Sequence, residues 1–317
     1  MMQLLVFKEH LKKIYSTYST YIDMAIKMIS VIAAIIVINT NIGFMTRLKS
    51  PVIALALGVM AAFLPNGINV LILSLIIVAH FYALSMELAV VAVVVLMIMF
   101  LLYFRFAPKD SYIVILLPVL FFIKMPYIVP LIVGLVATPI SIISVAFGTI
   151  LYFMMFYAKS NATSIANVTD DSGIQKITNF LDAILKNKEM WLMIIAFAVV
   201  IMIVYFIRRL SIDHSWTIAI VVGGIADMLI ILISELVLDA ESSISVGVMI
   251  VMSILSIGIV YLLHFMILSV DYARTEIVQF EDDEYYYYVK AVPKIKVTTQ
   301  NVKVKRINAA HSRNNRR

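Results

Sequence analysis

From Pro51 to Ala158 the chain is almost unbroken apolar sequence, yet residues that oppose a helix cut it at short intervals. The cuts are Pro65-Asn66-Gly67, Ser85-Met86-Glu87, Arg105 to Asp110, Lys124-Met125-Pro126 and Thr138-Pro139. Read as turns, they leave several segments shorter than the roughly 20 apolar residues a helix needs to cross a bilayer. Inside hydrocarbon every backbone N–H and C=O must find a partner within the protein, so a deep break survives only where protein or a wet cavity encloses it. A break at the membrane surface needs no such shelter. The region therefore predicts either short helices meeting at depth, an arrangement that builds transporter binding sites, or short crossings joined by surface loops.

A membrane follows from composition. Hydrophobic residues make up 63% of the chain and charged residues 14%, against about half and a quarter in soluble domains. Further spans are expected at 22–40, 191–207, 215–236 and 244–269. Residues 1–21 read as an amphipathic helix in the interface, with Leu4, Leu5, Phe7, Leu11, Ile14, Tyr15 and Tyr18 on one face and Lys8, Lys12 and Lys13 elsewhere. The first apolar run lacks a cleavage signal and is expected to stay.

The fold class is thus an all-α polytopic membrane protein. Residues 22–158 form an N-terminal membrane bundle, 159–190 an extracytoplasmic loop, 191–270 a three-helix membrane unit, and 271–317 a basic, β-prone tail. Counting every segment gives ten crossings; eight with re-entrant hairpins is the alternative. Either count puts both termini on one face with Arg105, Lys109, Arg208 and Arg209, which the positive-inside rule makes the cytoplasmic face of a plasma membrane. Arg47 and Lys49 fall on the other side. In the external loop, Ile174, Ile177, Phe180, Leu181, Ile184 and Leu185 have the spacing of an amphipathic helix, a lid or brace.

Two stretches, 58–75 and 118–135, superpose with Val59, Ile68, Leu71, Ile72 and Leu75 over Val119, Ile128, Leu131, Ile132 and Leu135, and their proline breaks nearly coincide. They read as a tandem repeat of 51–104 and 111–158, or as apolar segments alike by composition.

In the tail, apolar residues alternate with Lys at Ile295, Val297, Val302 and Val304, which suits short strands. A lone hairpin is marginal in water, so residues 277–307 are expected to pack on the membrane domain, a partner protein or a second copy. The stretch "QFEDDEYYYYVKAVPK" (279–294) resembles the tail of a group of bacterial multi-pass membrane proteins, a resemblance that implies no activity.

Ionisable residues inside spans are costly and mark candidate function. Asp227 sits near the middle of the 215–236 span, and Ala219, Gly223, Asp227, Ile231 and Glu235 recur every fourth position. Small residues on that face let a neighbouring helix approach and enclose the carboxylate, which suits proton or cation binding; the alternative role is hydrogen-bonded helix glue. Asn66, Asn69 and Lys124 bring amide and ammonium groups to the two proline breaks and suit an anionic or lipid-headgroup ligand. The chain has no cysteine and no metalloprotease, nucleophile-elbow or phosphate-loop motif. An enzyme is not expected, a lipid-modifying activity being the one alternative and lacking a nucleophile or metal set; no bound cofactor or metal is expected, and nucleic acid is not an expected partner. Two functions remain: a transporter or permease with Asp227, Glu235, Asn66, Asn69 and Lys124 along its path, or a non-transporting scaffold that recruits partners through its tail.

Overall fold

The computed structural model describes residues 2–107, 109–167, 173–238, 245–267 and 274–293. It is an all-α membrane protein with a small sheet. Six of its helical stretches are long and apolar enough to cross a membrane: Val6–Asn41, Asn66–Leu84, Pro139–Ser160, Gly173–Arg208, Ser215–Ile233 and Val246–Met266.

The first helix, α1 (Met2–Asn41), leaves helical geometry at Tyr18, which separates an N-terminal arm from the apolar stretch. On the arm Phe7, Leu11, Ile14, Tyr15 and Tyr18 are exposed. Lys8, placed on the polar side by sequence, is instead buried, and its ammonium donates to the Phe265 carbonyl at 2.9 Å.

The breaks named above become element boundaries. α2 (Pro51–Phe63) opens on proline, which needs no N–H donor in a first turn. It ends where Pro65 forces Leu64 into extended geometry, and α3 (Asn66–Leu84) starts at once. α4 (Met86–Phe106) follows the single extended residue Ser85. α5 (Ser111–Phe122) carries Pro118 inside it, and α6 (Ile128–Val136) is only nine residues long. α7 (Ile142–Ser160), α8 (Ala162–Asn167), α9 (Gly173–Leu185), α10 (Lys188–Arg208), α11 (Ser215–Leu238) and α12 (Val246–Ile267) complete the helices. The hairpin of β1 (Glu276–Glu281) and β2 (Tyr286–Ala291) pairs Val278 with Val289 and Phe280 with Tyr287. Lys290 ties it by an ion pair of 2.6 Å to Asp213, in the turn between α10 and α11. The strand-like residues Ile295, Val297, Val302 and Val304 lie outside the described residues.

Side-chain contacts fix the helix directions. Phe121 stacks on Tyr152 at 4.4 Å, and one turn earlier Leu117 abuts Gly148, so α5 and α7 run parallel. α6 turns back: Gly134 meets Ile201 and Val204, and Arg208 at the end of α10 donates to the carbonyls of Leu135 and Ala137. α5 and α6 are therefore an antiparallel hairpin. Its tip ends level with Tyr152, two turns or about 12 Å short of the end of α7.

At the end of the bundle where α7 finishes, α9 lies across α4 and α7. Phe180 and Ile184 of its apolar stripe are buried, with the Phe180 ring against Phe81 and Tyr157, while Ile174 and Leu185 stay exposed. The loop after α1 is pinned to α3 at the same end by His80. Its Nδ1 accepts from the Met45 N–H at 3.1 Å and its Nε2 lies 2.9 Å from Asn39 Oδ1. Only the neutral ring with hydrogen on Nε2 satisfies both contacts.

Candidate functional site

Asp227 is 1% exposed, and neither of its carboxylate oxygens has a hydrogen-bond partner among the described residues. Its position follows from the glycines before it. A β-carbon on Gly223 would stand 2.3 Å from Val204 and 3.0 Å from Leu131, and one on Gly224 would stand 2.3 Å from Ile257. On a helix of 3.6 residues per turn, position 227 projects between those two columns one turn further on. It therefore enters the convergence of α6, α10, α11 and α12.

Register along the neighbours fixes the height. Ser215 donates to the Arg208 carbonyl and Gly223 meets Val204, so α11 runs antiparallel to α10 and Asp227 comes level with Val200, near that helix's middle. Trp216 stacks on His264 and Gly224 meets Ile257, so α12 is antiparallel as well. That register sets Ser253 opposite Asp227. Ser253 is 3% exposed, and its hydroxyl too has no hydrogen-bond partner among the described residues. Gly223 against Leu131 places the start of α6, the returning arm of the α5–α6 hairpin, at the same height. Buried polar groups are normally paired, so a carboxylate and a hydroxyl left open at one level in mid-bundle form an unusual spot. Beside them lies a wholly apolar cluster that includes Ile128, Leu131, Val200, Val204, Ala219 and Val260.

A charged carboxylate sealed there without a hydrogen bond is costly, so the low-energy forms of the site are the neutral acid or a carboxylate with a cation beside it. Asp227 was legible from its spacing with Ala219 and Gly223. Ser253 was not, because a serine in a transmembrane helix usually bonds its own backbone, as Ser256 does to the Met252 carbonyl at 2.7 Å. Glu235 continues the Asp227 column on α11, but its side chain lies outside the described residues.

The other sequence candidates are not gathered around Asp227. Asn69 is buried in the first turn of α3 and its amide donates to the Ala61 carbonyl at 3.0 Å, which satisfies an acceptor at the end of α2. Asn66 is half-buried at the start of α3. Lys27 reaches the Leu64 carbonyl in the same turn. Both asparagines thus belong to a tight helix connection remote from Lys124. Lys124 is exposed at the tip of the α5–α6 hairpin, with φ of 64°. The Met125 N–H bonds Leu120 and the Lys124 N–H bonds Phe121, the two hydrogen bonds of a Schellman cap, with lysine where glycine is usual.

Cavities lie on the other side of the bundle. A small one of about 20 Å³, room for about one water, lies between α1, α3, α5 and α7, lined by residues including Ala34, Leu73, Val119, Phe122 and Leu151. Ser74 is the single polar side chain in its wall, and that hydroxyl donates to the Val70 carbonyl. A shallower, larger groove of about 300 Å³ between α3 and α4 shares Ser74 and faces outward. Among the described residues no group of three metal-ligating side chains comes together. Compared with family models, curated proteins and solved structures, the chain matches none.

Proposed function

We propose that the protein is a multi-pass plasma-membrane carrier in which Asp227 binds the coupling proton or cation. The observation that carries this reading is the buried, unpartnered carboxylate of Asp227, level with Ser253 and with the tip of a helical hairpin that turns back inside the bundle. Intramembrane carboxylates face bundle interiors and take part in ion and proton pathways, and broken helices ending near mid-membrane recur in secondary transporters. Eight crossings, by α1–α4, α7 and α10–α12, with α5–α6 re-entrant, fit these helix directions. Both termini then lie on the face that carries Arg105, Lys109, Arg208 and Arg209, the cytoplasmic face by charge.

The test compares the small-molecule and lipid content of cells expressing the wild-type chain, Asp227→Asn or no insert. A carrier changes the distribution of particular compounds, and Asp227→Asn returns them to the level without insert. Identical profiles for wild type and Asp227→Asn would remove Asp227 from any transport cycle.

A scaffold reading is favoured by one observation, the β hairpin. Its Val278–Val289 and Phe280–Tyr287 pairs are uncovered by the described residues, and Lys290 holds it at the cytoplasmic turn through Asp213. Removal of residues 277–317 abolishes partner recovery under that reading and leaves the compound profile unchanged under the carrier reading.

A further inference from the structure

The arm of α1 that precedes Tyr18 is a helix with almost no protein around it. Of the side chains described between Gln3 and Thr17, Lys8 alone is buried, and Phe7, Leu11, Ile14 and Tyr15 form an exposed apolar column that Tyr18 continues. A helix this short is marginal in water without tertiary packing, so the column needs a cover. The span also has more length than a bilayer takes. Val6–Asn41 is 36 residues, about 54 Å of helix at the usual rise against a hydrocarbon core of about 30 Å. Roughly 16 residues must therefore lie beyond the core. The break at Tyr18 lets them leave the axis, and the Tyr15 hydroxyl donates to Asp23 across it at 3.1 Å.

Lys8 fixes where the arm lies. Its ammonium donates to the Phe265 carbonyl at 2.9 Å and stands 5.7 Å from the centre of that ring. Phe265 is in the last turn of α12, next to the His264 that stacks on Trp216 in the first turn of α11. The arm is thus held where α11 begins and α12 ends, at a level that tryptophan marks as the membrane interface. At 3.6 residues per turn Lys8 occupies the column beside the apolar one, so both can be engaged at once. Lys12 and Lys13 are exposed on the polar side, and the arm sets three lysines against the single carboxylate of Glu9. Beyond the break, the exposed Tyr21, Ile26 and Ile29 continue the apolar surface into the span. A helix with aromatic and leucine side chains on one face and lysines on the other binds in the plane of an anionic leaflet.

We propose that the arm is a strap on an anionic leaflet. Its apolar column sinks to the acyl boundary, Lys12 and Lys13 meet lipid phosphates, and Lys8 fastens the leaflet-bound helix to the end of α12, the helix that carries Ser253. The strap stands on the arm and its latch, and does not depend on the carrier reading.

The test uses the full-length protein in nanodiscs. Because the chain has no cysteine, Leu11→Cys on the apolar column and Ser16→Cys opposite it each carry one environment-sensitive fluorophore. In discs of phosphatidylcholine with phosphatidylglycerol, lipids spin-labelled high on the acyl chain are expected to quench the Leu11 label and iodide to quench the Ser16 label. In phosphatidylcholine alone the Leu11 label becomes open to iodide. At a phosphatidylglycerol content that docks half the arms, Lys12→Gln and Lys13→Gln each lower the docked-to-free ratio about fivefold, the effect of one lysine at an anionic surface. Spin labels on Ser16→Cys and Ser211→Cys, the latter exposed in the turn between α10 and α11, give one narrow distance that Lys8→Met broadens. Equal docking on phosphatidylcholine, a Leu11 label shielded from both quenchers as a protein partner or second copy would shield it, docking indifferent to both lysine substitutions, or a distance unchanged by Lys8→Met would overturn the strap.

Discussion

Gly223 of α11 packs directly on Val204 of α10, leaving no room between them for a methyl group. Gly224 stands in the same relation to Ile257 of α12. These contacts hold three helices close enough to enclose Asp227. Gly223→Ala and Gly224→Ala should each destabilise the protein by about 1–3 kcal/mol, as overpacking does. Gly258→Ala, where nothing lies within 4 Å of the added carbon, should be neutral or stabilise by up to about 1 kcal/mol through helix propensity. Thermal unfolding in detergent separates the two classes.

Lys124 pays for its left-handed geometry at the end of α5, a conformation that costs an ordinary residue about 1–2 kcal/mol. Lys124→Gly should raise stability, by something under that figure. Melting curves of the two proteins in detergent read the difference.

His80 joins the loop after α1 to α3 through two contacts in opposite senses. His80→Leu leaves the Met45 N–H without its acceptor and Asn39 without its ring contact, at a cost of about 1–3 kcal/mol for a buried group left open. The loop should then become accessible. Because the chain has no cysteine, a reporter thiol at Thr46 measures this as faster alkylation in His80→Leu than in the parent.

The β hairpin has a pH window set by one turn. Asp282 accepts the Tyr287 hydroxyl at 2.7 Å and the N–H groups of Tyr285 and Glu284. The Tyr287 bond foremost, and then the N–H groups, hold its carboxyl below the ordinary aspartate range. The same hydrogen bond pushes the Tyr287 phenol up. The contribution of Asp282 is therefore complete above the ordinary aspartate range and is lost as pH falls through the lowered value. That of Tyr287 is complete below the ordinary tyrosine range and is lost as pH rises through the raised one. Spin labels on Gln279→Cys and Tyr288→Cys, which face each other across the strands, should stay at one distance through neutral pH and spread at both extremes. In Asp282→Asn the acid transition should vanish.

Much of the element map could be read from residues that cannot continue a helix. Pro65, Ser85, Asp110 and Pro139 all stand at element boundaries, because proline geometry and short polar side chains act locally on the backbone. Depth could not be read. Pro65 and Pro126 sit in similar apolar surroundings, yet the first marks a turn held by Asn69 and Lys27, while the second belongs to a tip seated two turns down α7. Phe121 stacking on Tyr152 and Arg208 gripping the end of α6 decide that difference, and both are long-range contacts with no local signature. For the same reason Asp227 was foreseen from its own helix, whereas Ser253 required a second helix to gain meaning.

The central claim is that Asp227 is a binding group and not inert helix glue. Dicyclohexylcarbodiimide, which partitions into bilayers and couples to protonated carboxyls, tests this most directly, with adducts mapped by mass spectrometry on the reconstituted full-length protein at several pH values. An adduct is expected on Asp227 that is absent from Asp227→Asn, decreases as pH rises and is suppressed when a coupling cation is added at fixed pH. An Asp227 that stays unmodified at every pH, while exposed carboxyls such as Asp283 react, would contradict it.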